Sequence, residues 1–153
     1  GWVDIGSSFL PSDIIAAYLF AQLESLDVIQ AKRRAVWQAY YDALLPIAKR
    51  SGRFTLANLP SYATNNAHMF YLVCDSIETR SELIASLKSK GVHAVFHYLS
   101  LHKSDFYSDK HDGRELKNSD RYTDCVVRLP LFFELSESDI LRVISAVSEY
   151  FGN

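Results

Sequence analysis

Cysteine is scarce in this sequence: Cys74 and Cys125 are the only two in 153 residues. That is too few for a disulfide scaffold, and their spacing is not that of a metal site, so a reducing cytoplasm is the expected setting. No apolar run approaches the roughly 20 residues that cross a bilayer, and no membrane insertion is expected. The formal net charge of -2 supplies no electrostatic footprint for nucleic acid or an anionic membrane. Lys32, Arg33 and Arg34 form the one basic run, which a solvated helix face explains. Internal repeats and low-complexity tracts are lacking. So are a glycine-rich dinucleotide fingerprint, a Walker loop, a GxSxG elbow and a paired-cysteine zinc motif, which leaves those chemistries without a signature. The opening residues carry neither a charged n-region nor a signal-peptide apolar stretch. They begin directly on Trp2, Val3 and Ile5, and a cut through a larger protein is the expectation.

What is present is the makeup of a globular domain. Hydrophobic residues are 48% and charged residues 22%, enough apolar material for one buried core. Pro11-Ser12 reads as a stop and an N-cap, with Asp13 at the positive end of a helix. The run Ile14 to Ala21 is apolar all round, so that helix calls for cover from missing parts or from a partner subunit. A second helix is predicted from Asp27 to about Arg50, with Ile29, Val36, Trp37, Tyr40 and Leu44 as its apolar stripe and Pro46 as a kink or early stop. Residues 51–66 read as connection, with a short strand near Phe54.

The rest of the chain alternates strands and helices. Met69 to Cys74 is strand-like. Thr79-Arg80-Ser81-Glu82 forms a capping box before Leu83, Ile84 and Leu87, and Gly91 suits the left-handed residue that ends that helix. A strand at Val92–Phe96, a polar loop over 98–118 and a strand at Val126–Leu131 follow. Ser136, with Asp139, then caps a last helix whose buried face is Ile140, Val143, Ile144 and Val147. The fold class is α+β (α/β): residues 1–50 form a helical segment of two helices, and 51–153 a small α+β domain. Its sheet, antiparallel or mixed, is covered by helices, with the last strand lying antiparallel between the two before it.

Four histidines, His93, His97, His102 and His111, fall close together in sequence. His93 and His97 would point to one face of a strand but about 13 Å apart, too far to share a metal. His93 and His111 read as exposed residues without a role. His97-Tyr98 stands where a strand feeds a long loop, a favoured place for function, and His102 converges on His97 if the chain turns at Leu99-Ser100. A satisfied structural histidine is an equal reading. Arg128, flanked by Val127 and Leu129, points away from their face and suits either a substrate-carboxylate clamp or a solvated outer position. Ser7 and Ser8, just ahead of a helix, could donate to a phosphate or cap locally.

The segment Gly6-Ser7-Ser8-Phe9-Leu10-Pro11-Ser12-Asp13-Ile14-Ile15-Ala16-Ala17, closing on Gln22-Leu23, resembles the DegT/DnrJ/StrS sugar aminotransferases. Their pattern there is G-x-N-x-R-x-x-E-x-x-A-A, ending in Q-L. Asn66-Ala67-His68-Met69-Phe70-Tyr71, Phe96-His97-Tyr98-Leu99-Ser100-Leu101-His102 and Leu129-Pro130-Leu131 are similar to three further landmarks in the same order, so the resemblance spans the chain. It departs from the pattern twice: Ser8 stands for the family asparagine and Leu10 for its arginine. In relatives that asparagine meets the cofactor phosphate of the neighbouring subunit and the arginine helps hold the sugar nucleotide; Leu10 cannot replace an arginine. The form Val3 to Asp13 is similar to a branch serving enterobacterial common antigen synthesis.

The resemblance implies the C-terminal small domain of a type I aminotransferase, dependent on pyridoxal 5′-phosphate (PLP), with active sites at a homodimer interface. It implies glutamate as amino donor and dTDP-4-keto-6-deoxy-D-glucose as nucleotide-sugar acceptor. It gives Ser8 as a cofactor-phosphate contact and His97, Tyr98 and His102 as substrate-facing residues. None of the lysines here falls in the family's lysine motif, so no catalytic residue is assigned and the isolated chain is expected to be inactive. Two alternatives stay open at this point: a dehydratase or other ketosugar transaminase of the same superfamily, and a non-catalytic interaction module.

Overall fold

Ser12 begins the first helix, as its position before Asp13 predicts: its Oγ accepts from the Ile15 N–H at 3.5 Å. The computed structural model describes residues 10–152. Helix α1 (Asp13–Glu24) has no buried residue; Ile14 is 84% exposed and Phe20 64%. Ser25 separates it from α2 (Leu26–Ser51), and the two axes bend by 64°. Among the described residues no single helix is long and apolar enough to cross a membrane.

Helix α2 buries Val36, Trp37, Tyr40, Leu44, Ile47 and Ala48, the stripe that 3.6-residue spacing requires. Pro46 neither ends nor shortens it. The ring lies on the exposed face, and the helix continues to Gly52, whose φ of 65° and N–H to the Ala48 carbonyl close the last turn. Strand β1 (Phe54–Leu56) pairs antiparallel with β2 (Phe70–Cys74), which pairs antiparallel with β3 (Val126–Leu129); the sheet order is β1-β2-β3. Register places Phe70 opposite Leu129 and Tyr71 opposite Arg128.

The strand expected at Val92–Phe96 contracts to one antiparallel bridge between Val95 and Arg128. Just before it, the Ala94 N–H turns back to the Val92 carbonyl at 3.2 Å, which keeps that group off the ladder. Even so, β3 lies antiparallel between β2 and this segment, as the sequence predicts. The helix between them, α3 (Ile77–Ser89), starts earlier than the capping box implied: Ser76 is the N-cap and accepts from the Thr79 N–H at 3.2 Å. Thr79 is buried instead, accepting from Arg53 Nη2 at 3.1 Å. Gly91, at φ 73°, ends α3. The Val92 N–H reaches the Leu87 carbonyl and the Gly91 N–H the Lys88 carbonyl, with Val92 and Leu87 both buried, the pairing that satisfies the last free carbonyls of a helix. The sequence reading also missed α4 (Lys117–Cys125), which buries only Cys125 and so carries no apolar stripe. Helix α5 (Glu137–Gly152) starts at Ser136, where Asp139 and Ser136 bond reciprocally.

One core joins these parts. Tyr40 and Trp37 of α2 meet Phe70 edge-on at 5.3 Å, and Phe54 meets Phe151 of α5 at 4.4 Å. Helices α2 and α5 therefore cover the sheet face bearing Phe54, Phe70 and Leu72. Tyr40 is fully buried, and its hydroxyl donates to the Pro130 carbonyl at 3.0 Å. Burial pushes that hydroxyl's pKa far up, with the Asp139 charge adding to it, so it remains a donor.

Two outcomes follow from this packing. Tyr40→Phe keeps the ring but leaves the Pro130 carbonyl unpaired, which should cost about 1–2 kcal/mol in urea denaturation; unchanged stability would show that water replaces the bond. The uncovered apolar surface of α1 should drive self-association of the chain. Sedimentation over a dilution series should show concentration-dependent mass that falls when Leu19 and Phe20 are replaced by lysine. A strict monomer at all concentrations would contradict it.

Candidate functional site

Arg128 and His97 are brought together by strand geometry. Val95 and Arg128 exchange both backbone hydrogen bonds, at 3.2 and 2.8 Å, so their side chains share a face. His97, two residues beyond Val95, returns to that face. Alternation sends Val127 and Leu129 into the core and leaves Arg128 outside, half-buried. There Arg128 Nη1 donates to His97 Nδ1. Tyr98, 74% exposed, sets its ring edge-to-face with His97 at 4.2 Å. A hollow of about 190 Å³ opens beside the pair, lined by Met69, Tyr71, His97, Tyr122, Val126 and Arg128.

Several braces hold this face in place. Arg33, which the sequence reading assigned to a solvated helix face, donates through Nε to the Ala67 carbonyl at 3.1 Å and through Nη2 to the His68 carbonyl at 2.6 Å. Asn65 and Asn66 close the same turn by accepting from the Ala67 and His68 N–H groups. Met69 is thereby delivered to the edge of the hollow. Arg80 of α3 donates to the Asp124 carbonyl at 3.0 Å and lies 5.1 Å over the Phe96 ring, which ties the residue before His97 to the end of α4. Neither arginine has a local sequence signal, since its partners lie 34 to 44 residues away.

His102 does not join His97. Its Nε2 meets Asp120 Oδ1 at 3.1 Å, its side chain is 12% exposed, and its ring lies 5.2 Å from that of His111. Asp120 also takes a hydrogen bond from Lys103 Nζ at 2.8 Å. That bond first, then the Lys103 and His102 charges and Ser100, hold the Asp120 carboxyl below the ordinary carboxylate range. Ser100, buried, shares a 2.6 Å hydrogen bond with Thr123. The loop is thus pinned to α4 by a polar cluster in which His102 is a structural member. The expected convergence of His102 on His97 fails because α4, absent from the sequence reading, offers it a carboxylate. Ser8 lies outside the described residues. His93 is exposed on the rim of a separate hollow of about 470 Å³, floored by Val92, Leu135 and Val143 beside α5.

Chemically, the His97–Tyr98–Arg128 face is a set of hydrogen-bond donors beside aromatic surface, suited to orienting an oxygen-rich ligand. No serine, cysteine or lysine lines the hollow beside it. Among the described residues Lys90 pairs with Glu149, Lys103 with Asp120 and Lys117 with Glu115 on the surface, and no lysine is buried.

Comparison with known proteins gives a consistent answer. The family model for the DegT/DnrJ/EryC1/StrS aminotransferases matches residues 3–148. Among solved structures, the aminotransferase TlmJ from Streptoalloteichus hindustanus superposes with a TM-score of 0.82 at 24% identity, over 94% of this chain and 37% of its own. DesV from S. venezuelae gives 0.81 at 26% identity, over 90% and 36%. An aminotransferase from Psychrobacter cryohalolentis gives 0.86 at 17% identity, over 98% and 41%. The chain thus spans little more than a third of the length of these structures. Pyridoxal 5′-phosphate is the cofactor that membership of this aminotransferase family implies, and a protein from Streptococcus pneumoniae, 18% identical with a TM-score of 0.78 over 92% of this chain and 36% of its own, is known in a PLP form. A fold shared over nearly the whole chain and a family match over residues 3–148 agree: this chain belongs to the DegT/DnrJ/EryC1/StrS aminotransferase family.

Proposed function

We propose that this chain is the substrate-facing C-terminal part of a sugar-nucleotide aminotransferase. The parent enzyme passes an amino group from glutamate to dTDP-4-keto-6-deoxy-D-glucose, in the cytoplasm, for cell-surface polysaccharide of the enterobacterial common antigen type. The observation that carries this reading is the position of His97 and Tyr98. They occupy the family's H-Y-x-x-x-H landmark and stand, with Arg128, on one exposed face beside a hollow. PLP, when bound, supplies the electron sink for amino transfer.

In this reading the chain binds and orients. His97 donates to an oxygen of the ketosugar, Tyr98 flanks the ring, and Arg128 supports His97. His102, through Asp120, fixes the loop that follows and so the end of the wall. Ser8 donates to the cofactor phosphate of the neighbouring subunit in a homodimer. The surface of α1, uncovered here, packs against the rest of the parent protein or its partner. The catalytic lysine belongs to the part of the parent enzyme outside this chain, which leaves the isolated chain without activity.

The test of the site is substitution in the full-length enzyme. His97→Ala should lower kcat/KM for the ketosugar by on the order of tenfold, with thermal stability nearly unchanged, since it removes one exposed donor. His102→Ala should do the reverse: lost stability, and activity per folded molecule largely kept. Equal losses of activity in both would show that the two histidines act together. The isolated chain, mixed with PLP and treated with borohydride, should show no stoichiometric labelling of one lysine and no turnover of the ketosugar. Labelling with turnover would place the catalytic lysine in this chain.

A further inference from the structure

We infer that Arg128 is a positioning residue that fixes which nitrogen of His97 carries the proton, and so makes His97 a one-way donor toward a carbonyl oxygen. A guanidinium has five N–H groups and no lone pair with which to accept. His97 Nδ1, at the end of the Arg128 Nη1–H bond, therefore has to be the acceptor. A ring nitrogen that accepts bears no proton, so the proton of the neutral imidazole sits on Nε2. A doubly protonated ring would set two N–H groups against each other at the Arg128 contact. Nε2 has no partner among the described residues, and the Tyr98 ring edge, at 4.2 Å and 73°, limits rotation of the imidazole. His97 is exposed and lines the hollow, so Nε2–H is presented to whatever fills the space beside Met69, Tyr71 and Tyr122.

The chemical consequence is selectivity for a group that accepts. A ketone oxygen has lone pairs and no proton, so it pairs with an Nε2–H and is repelled by a bare Nε2. A hydroxyl could pair with either. Arg128 therefore favours a ketosugar by holding His97 in its donating tautomer, without touching the sugar. This rests on the proposed placement of His97 at the sugar. The competing role, in which Arg128 clamps the carboxylate of the amino donor directly, uses the same side chain and predicts a different kinetic outcome.

Kinetics of the full-length enzyme separate the two, because an aminotransferase handles donor and acceptor in separate half-reactions, each with its own kcat/KM. The variants are Arg128→Met, His97→Gln and the double variant; the probes are glutamate and dTDP-4-keto-6-deoxy-D-glucose. The glutamine amide nitrogen stands near the place of Nε2 and donates whether or not an arginine is present. Arg128→Met should lower kcat/KM for the ketosugar roughly three- to tenfold, the worth of one oriented hydrogen bond, and leave that for glutamate unchanged. In the His97→Gln background the same change should cost nothing further. A loss that persists undiminished in that background, or one that falls on glutamate, overturns the proposal. Histidine 15N NMR of the chain reads the tautomer directly, with His97→Gln giving the assignment: protonated Nε2 and bare Nδ1 are expected, and a protonated Nδ1 overturns the proposal whatever the kinetics. If His97→Ala leaves the ketosugar kcat/KM untouched, the placement of His97 at the sugar fails, while the NMR still judges the tautomer by itself. Should Arg128→Met not fold, Arg128→Lys, which keeps one donor and loses the planar fork, takes its place. A smaller loss is then expected, again absent in the His97→Gln background; its persistence there counts against the proposal.

Discussion

Alternation along β3 is the constraint on which the rest depends. Val127 and Leu129 point into the core beneath α2 and α5, and Arg128, between them, is turned to the opposite face by the two-residue period of a strand. The pairing of Phe70 with Leu129 fixes this register from one side, and the Val95 bridge fixes it from the other. A slip of one residue would bury a guanidinium and expose two core side chains, so the hydrophobic effect that holds the core also holds the site. Because Arg128 is set by the core, His97 is set by Arg128.

Polar side chains acting at long range do the rest of the positioning. Arg33 holds the turn before β2, Arg80 ties Phe96 to α4, and the Asp120 cluster pins the loop after His97. Each of these bonds ties together segments distant in sequence, which fixes the turn before β2, Phe96 and the loop after His97 relative to the core. The result is an exposed donor face on a rigid base. That combination suits the role proposed for this chain, orienting a sugar rather than performing the covalent chemistry.

Much of this fold was legible in the sequence because its signals are local. Ser12, Gly91 and Ser136 mark helix ends by their own conformational chemistry, and the stripe from Val36 to Leu44 follows helical period. The strand expected at 126–131 ends at Leu129, but it lies between its antiparallel neighbours as connection rules predict. What escaped has a common cause. Helix α4 buries a single residue and so has no periodic stripe, and without it His102 had no visible carboxylate to turn toward. Thr79 looked like a cap because its own hydroxyl and Glu82 fit the motif, yet Ser76 was nearer the end of β2 and took the place. Arg33 and Arg80 find partners distant in sequence, which no local pattern reports. His97 and Tyr98 are marked both by the strand end that feeds a long loop and by the family landmark; Arg128 is seen to face outward, but its bond to His97 requires the Val95 bridge, a tertiary fact.

The central claim is that the face carrying His97, Tyr98 and Arg128 meets the sugar in the intact enzyme. Hydrogen–deuterium exchange of the full-length PLP-loaded enzyme, with and without the dTDP-ketosugar, tests it most directly. The account predicts slowed exchange on binding at 95–99 and 126–129, with α5 unchanged. Protection that leaves both segments untouched while the enzyme binds the nucleotide sugar would contradict it.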